Sequence, residues 1–355
     1  MTTFVHSTRA SRVVFGPGSL GRLADEADQL GLRRILLIAG PRYRDTARTL
    51  LGNRVAATID RVRPHVPRAD AEEAQRIAAD VGADGCVSVG GGAAVGLAKA
   101  VALVRPVRIL AVPTTYAGSE LTPVWGLTDE QGKTTGRNEA VAPGTVVYDP
   151  LLTSGLTTSI AHPSGLNAMA HAVEALYAPD GTPVLSLLAE EGIRLLAASL
   201  PALRDDEPDA TADARADALR GAWLCGVCLG SSTMSLHHKL AHVLGGTFGL
   251  PHAETHSVLL PRVLSWNAQA APEAARIVAR ALGATSPADA GPALLALSKS
   301  LRIPASLKDL GFGAEDIEVA VSEALRSPYA NPRPVDAEGI RAILSAAVEG
   351  RLPTG

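Results

Sequence analysis

Along the first part of the chain, short β-branched runs alternate with stretches rich in Ala, Leu and Arg. The runs are Arg12–Phe15, Arg34–Ala39, Ala56–Asp60, Cys86–Val89, Arg108–Val112 and Thr145–Tyr148, and helix-like segments such as Gly18–Leu30 and Ala71–Val81 lie between them. Repeated strand–helix units bury both faces of a sheet by laying the strands parallel and covering them with helices. After Tyr148-Asp149-Pro150 the texture changes. From about Ser159 onward the residues are Ala- and Leu-rich and helical in pattern, broken at Gly249–Pro251, Gly283, Pro304 and Ser327–Pro334, with no strong strand. The expectation is an α/β domain over residues 1–155 followed by an all-helical bundle over 156–355.

Length and composition agree with two packed domains. The chain has 355 residues, 46% of them apolar and 19% charged, against roughly 100–200 residues per domain. A net charge of −3 is too near zero to attract nucleic acid or an acidic membrane surface, so neither is expected as a partner. The N-terminus, MTTFVHSTRASRVVFG, has no apolar signal core, and no segment approaches the ~20 apolar residues of a membrane span. A cytoplasmic location follows as an expectation. There are three cysteines; Cys225 and Cys228 form a CxxC without a second pair, inside ALRGAWLCGVCLG, and read as small core residues of a buried helix rather than a redox or zinc site.

Two loops carry ligand chemistry. Gly90-Gly91-Gly92 follows a strand and opens a helix running through Lys99. Glycines there let backbone approach a pyrophosphate, and the helix N-terminus offers free N–H groups; an ordinary tight turn is the alternative. Pro113-Thr114-Thr115-Tyr116-Ala117-Gly118-Ser119-Glu120 follows the next strand, and its hydroxyls suit phosphate, ribose or nicotinamide, or else an N-cap. Five of the nine histidines, with one asparagine, form i,i+4 pairs: Asn167/His171, His238/His242 and His252/His256. On a helix such pairs share a face, where they bind metal or handle protons. His6, His162 and His237 lack such company and read as structural.

These residues resemble the signatures of the iron-containing alcohol dehydrogenases: a GGGSxxDxxK loop at Gly90–Lys99, a Thr-Thr loop, GxDAxxH at Gly165–His171, and two histidines 14 residues apart at His238 and His252. The similarity runs from Val13-Val14-Phe15-Gly16-Pro17-Gly18 to Ser306-Leu307-Lys308-Asp309-Leu310-Gly311. Metal-binding members use Asp, His, His, His. Here Asn167 stands at the Asp, while His171, His238 and His252 match; Ala93 and Gly96 replace the Ser and Asp of the glycine loop. The family's PHG has become Pro251-His252-Ala253-Glu254-Thr255-His256. Those departures are similar to the maleylacetate reductase branch, as are Pro113–Glu120, Trp125–Thr128, Lys133–Arg137, His237–Leu240 and Pro328–Pro334. Ala93-Ala94 departs even from that branch, where Ser-Thr is usual.

The resemblance implies an α/β dinucleotide-binding domain followed by a helical catalytic domain. It implies NADH- or NADPH-dependent reduction of the C=C bond of maleylacetate to 3-oxoadipate in aromatic-compound degradation, without a required metal. The implied catalytic residues are His242, His252, His238, His171 and Lys239. Arg137, Tyr116, Ser119, Asn167, Tyr329 and Arg333 are expected to hold the dicarboxylate. Gly90, Gly91, Gly92, Thr114, Thr115, Ser119, Lys133, Gly40 and His65 are expected to meet the cofactor. A homodimer is usual in the family. Ile38-Ala39-Gly40-Pro41-Arg42 has no acidic residue to grip a ribose 2′-OH, and Arg42 or Arg44 suits a 2′-phosphate, so both cofactors are expected to serve. The rival readings are a metal-dependent alcohol dehydrogenase or a biosynthetic reductase of another unsaturated keto-acid on the same fold, and, in another class, a nucleotide-binding regulator without catalysis.

Overall fold

The computed structural model describes residues 4–6, 11–130, 132–207 and 211–354. Residues 11–156 and 211–219 form one compact unit, and 4–6, 157–207 and 220–354 form the other. The division is therefore not linear in sequence. The Arg215 guanidinium donates to the carbonyls of Thr153 (2.6 Å) and Leu156 (3.1 Å), which ties residues 211–219 to the first unit. His6 reaches Thr182 at 3.2 Å in the second.

The first unit is built on a parallel sheet of β1 (Arg12–Phe15), β2 (Ile35–Ala39), β3 (Val55–Ile59), β4 (Gly85–Gly90), β5 (Arg108–Pro113) and a later strand, Thr145–Tyr148, in the order β1, Thr145–Tyr148, β5, β4, β2, β3. The helices α1 (Leu23–Gln29), α2 (Pro41–Leu51), α3 (Arg68–Asp80) and α4 (Gly92–Ala102) connect them. Central strands β2 and β4 are buried almost end to end, as expected of strands covered on both faces. The segment expected as one helix over Gly18–Leu30 is instead a 3₁₀ turn at Ser19–Arg22 followed by α1. Gly18 sits at φ 76°, and the Asp149 carboxylate accepts from the N–H groups of Gly18 and Leu20, both at 3.0 Å. That anchor fixes a turn before the helix begins.

An antiparallel hairpin, β6 (Val124–Asp129) with β7 (Gly132–Arg137), was not expected from the sequence. The strand Thr145–Tyr148 is hereafter β8. The second unit is helical: α5 (Thr158–Ala175), α6 (Pro183–Ser199), α7 (Ala212–Ser231, from residue 220), α8 (Leu236–Phe248), α9 (His252–Asn267), α10 (Pro272–Ala281), α11 (Ala290–Ser300), α12 (Ile317–Leu325) and α13 (Ala337–Val348). No strand occurs in it among the described residues. Leu236, Leu240, Leu244, Val263, Phe312, Ile340 and Leu344 belong to one buried core, which fixes how α8, α9 and α13 present their other faces.

Candidate active site

In the α/β unit, β2 and β4 are neighbours, but the chain leaves β2 outward to β3 and leaves β4 the opposite way to β5. Ligands of such sheets bind beyond the carboxyl ends of the strands at this switch in direction. A cavity of about 280 Å³ lies there, lined by Gly40, Arg42, Tyr43, Gly90, Gly91 and Ala94 among others. Gly40 and Gly91 are the N-caps of α2 and α4, and neither helix start carries a side-chain cap. A Cβ on Gly91 would sit 3.1 Å from Thr115 Cγ2, and one on Gly90 2.9 Å from Ala94 Cβ. The glycines thus leave backbone N–H groups bare beside the cavity, the chemistry a dinucleotide pyrophosphate needs.

The Thr/Ser loop is held from behind. Lys99 is wholly buried, and its Nζ donates to Ser119 O (2.7 Å), Thr122 Oγ1 (3.1 Å) and Val124 O (2.7 Å). Tyr148 donates to buried Glu120 at 2.7 Å. Burial raises the Glu120 pKa above the usual carboxylate range, against the pull of Tyr148 and Lys99. The Thr114 N–H donates to Gly90 O at 3.1 Å, joining the two loops. Tyr116 is fully buried, and burial pushes its phenol up to about 12. His65 is exposed, in left-handed backbone at φ 62°, and its carbonyl accepts from Thr128 Oγ1 at 2.9 Å. Arg137 is exposed and lies 3.5 Å from Glu139. The Lys133 side chain lies outside the described part of the structure.

In the helical unit, α5 carries Asn167, His171 and Glu174 on one face, since spacings of four and three residues stack along a helix. Helix α8 brings His237, His238 and His242, and α9 brings His252 and His256. Ring centroids lie 5.1 Å apart for His171–His238, 4.9 Å for His238–His256, 4.4 Å for His252–His256 and 6.2 Å for His242–His252. The three pairs expected from spacing therefore form one cluster. His237, expected to be structural, lies inside it, with Nε2 2.8 Å from His256 Nδ1. His162 bonds the carbonyls of Leu301 and Leu200 and stays outside it.

Glu174 is the residue the sequence reading missed. It is fully buried and accepts from Ser235 N–H (2.8 Å), His237 N–H (2.7 Å) and His238 Nδ1 (2.6 Å). Burial opposes its ionisation, but His238 and the backbone donors outweigh it and hold the carboxyl below its usual range. Burial, reinforced by neighbouring imidazoles, keeps His171 and His256 well below the ordinary histidine pKa and lowers His237 to about 3. Asn167 Oδ1, His171 Nδ1, His238 Nε2 and His256 Nε2 are buried with no hydrogen-bond partner among the described residues. The signal for Glu174 was available: one acidic residue in the apolar stretch HAVEAL, three positions after His171.

Beside the cluster lies a cavity of about 390 Å³ lined by Lys239, His242, Val243, Thr247, Glu323 and Arg326. Lys239 Nζ donates to Ser327 Oγ at 3.2 Å and stands 5.9 Å from the Tyr329 ring centroid. The Tyr329 hydroxyl has no partner among the described residues. Arg333 is committed elsewhere: it stacks 4.4 Å over Trp266 and donates to the Trp266 carbonyl. Asn331 and Asn267 exchange amide hydrogen bonds at 2.8 and 3.0 Å, and Ser235 Oγ donates to Ala330 O. Cys225 and Cys228 are buried, with their thiol pKa values raised by burial.

Two family models account for most of the sequence: iron-containing alcohol dehydrogenase over residues 10–150 and the C-terminal part of the Fe-containing alcohol dehydrogenase family over 161–348. The chain belongs to the iron-containing alcohol dehydrogenase family. Within that family of oxidoreductases it is 47% identical to the maleylacetate reductase of Burkholderia cepacia over 357 aligned positions, which cover 100% of both chains. It is 46% identical to the maleylacetate reductase of Pseudomonas aeruginosa over 99% of each. The crystal structure of maleylacetate reductase from Agrobacterium tumefaciens superposes with a TM-score of 0.93 at 43% identity, covering 99% of this chain and 100% of that one. The family fold is the one expected from the sequence: a parallel α/β part followed by helices.

Proposed function

We propose that this protein is a maleylacetate reductase that uses NADH or NADPH, works in the cytoplasm as a homodimer, and requires no metal. The observation that carries the reading is the histidine cluster with Asn167 where metal-binding members of the family have a carboxylate. Full-length similarity to maleylacetate reductases supports it.

The donor set does not fit iron. A hard divalent ion is best held with an anionic oxygen among its ligands, and Asn167 offers an amide. The Glu174 carboxylate is engaged by three hydrogen bonds, two from backbone N–H groups and one from His238. Conjugate reduction needs no Lewis acid of the kind that alcohol oxidation draws on, because the developing charge is already delocalised from a ketone and hydrogen-bond donors can carry it.

The glycine loops and the cavity beside them fit a nicotinamide dinucleotide, which when bound supplies hydride to the carbon β to the ketone. Gly40, Gly90, Gly91, Gly92, Thr114, Thr115 and Ser119 hold it. His242, which borders the second cavity, delivers the proton to the α carbon, with His252 beside it. His171, His238 and Lys239 steady the enolate oxygen. Tyr329 meets a carboxylate, Asn167 orients the substrate through its amide, and Arg137 is assigned to a carboxylate on the family resemblance alone. Tyr116 and Arg333 are left out of this reading, the first being fully buried and the second bound to Trp266. Oxidation of NADH and NADPH in the presence of maleylacetate tests the proposal; no turnover with either cofactor would refute it.

A further inference from the structure

We propose that Glu174 is a positioning residue for the reaction, acting through His238: it keeps the proton on Nδ1, fixes the ring plane and leaves Nε2 as the nitrogen offered to substrate. This rests on the reductase reading above. The geometry has three parts. The Glu174 carboxylate is 2.6 Å from His238 Nδ1, and an ionised carboxylate only accepts, so Nδ1 must donate. The same carboxylate accepts from the N–H groups of Ser235 and His237, at the open start of α8, so it cannot swing away without stripping a helix N-terminus. The opposite nitrogen, His238 Nε2, is buried and has no partner among the described residues, as is also true of Asn167 Oδ1 and His171 Nδ1.

The chemistry follows from the tautomer. With hydrogen held on Nδ1, neutral His238 presents a lone pair at Nε2. When Nε2 also carries a proton, the positive ring lies against the Glu174 carboxylate and donates to the enolate oxygen. The proton passes from Nε2 to the enolate oxygen and returns to Nε2 when His242 protonates the α carbon, while the other proton stays on Nδ1, donated to Glu174, throughout. A carboxylate that orients an imidazole in this way governs both its tautomer and its charge. Without it, Nε2–H and Nδ1–H tautomers would compete, and a buried imidazolium would stand uncompensated.

The structural role of Glu174 as a cap for α8 and its role through His238 separate experimentally. In Glu174→Gln, kcat with maleylacetate is expected to fall by about 100-fold, the upper scale of loss when a group that orients a functional histidine is removed, while KM and NADPH affinity change by less than threefold. Glu174→Asp should recover part of kcat. In ¹⁵N-histidine-labelled enzyme without substrate, the His238 resonances, assigned by their loss in His238→Gln, should report a protonated Nδ1 in the wild type. Glu174→Gln retaining kcat within threefold overturns the proposal. So does a wild-type His238 protonated on Nε2 alone, which decides the matter even if Glu174→Gln does not fold. Wild-type enzyme inactive on maleylacetate would instead defeat the assigned substrate, with the tautomer still read in the same sample.

Discussion

The side chain of Val66 fills the space beside Gly96: a Cβ on that glycine would lie 2.7 Å from Val66 Cγ2. Val66 is held there in left-handed backbone, φ 49°, by a hydrogen bond from Thr128 N–H to its carbonyl at 3.1 Å. The glycine at the position where the family pattern has aspartate is therefore packed, not empty. Gly96→Asp should destabilise the protein by about 1–3 kcal/mol, the cost of overpacking. Thermal melts would show it, and a variant as stable as wild type would mean that Val66 yields easily.

Arg42 and Arg44 differ in what they already hold. Arg44 is bound to Asp45 at 2.9 Å and Asp60 at 2.8 Å, whereas Arg42 lines the cavity at the end of β2. Arg42→Ala should lower kcat/KM for NADPH by about tenfold, roughly 1.4 kcal/mol, and leave NADH within threefold. Arg44→Ala should leave the NADPH/NADH ratio unchanged. Equal losses in both variants would count against this assignment.

Full activity is expected after exhaustive chelation, with no stoichiometric iron or zinc in the purified protein. The decisive measurement is activity before and after EDTA, followed by single-ion addition. Loss on chelation with recovery by one divalent ion would return the protein to the metal-dependent members of its family.

Acid should destabilise the fold through its neutral histidines. The folded-state pKa values of His237, at about 3, and of His256 are depressed by burial. Below the unfolded value of about 6.5, the unfolded chain takes up protons that the folded chain refuses. Stability is thus complete above about pH 6.5 and falls with acidification, by about 1.4 kcal/mol per pH unit for each such histidine. Urea unfolding at pH 7.5 and 5.5 measures it; a midpoint that does not fall at the lower pH would rule it out.

Asn331→Ala should raise KM for the dicarboxylate several-fold with little change in cofactor affinity, because the amide pair with Asn267 fastens the segment bearing Tyr329. Losing a buried hydrogen-bonded partner costs about 1–3 kcal/mol. Steady-state kinetics with each ligand varied in turn would tell, and an unmoved KM would detach Tyr329 from substrate binding.

The strands were legible because β-branched runs between helical stretches leave few alternatives; β1 and β8 begin and end where the residues change character. The hairpin of β6 and β7 was not. VWGLTD and GKTTGR carry little apolar alternation, and only the cross-strand ladder reveals them. The histidine pairs were visible as spacings on single helices. Their merger into one cluster depends on how α5, α8 and α9 pack, and so His237 and Glu174 gained their place only in three dimensions. Tyr116 shows the reverse: a tyrosine next to a promising motif is fully buried.

The segment from Ser327 to Pro334 is pinned at its foot by Asn331 and by Arg333 on Trp266, while Pro328 is exposed and Tyr329 is only half-buried. Anchor and tip are thus separable. On the proposed substrate contact of Tyr329, substitutions at Pro328 and Tyr329 would alter which unsaturated acid is accepted while the fastening residues keep the backbone in place.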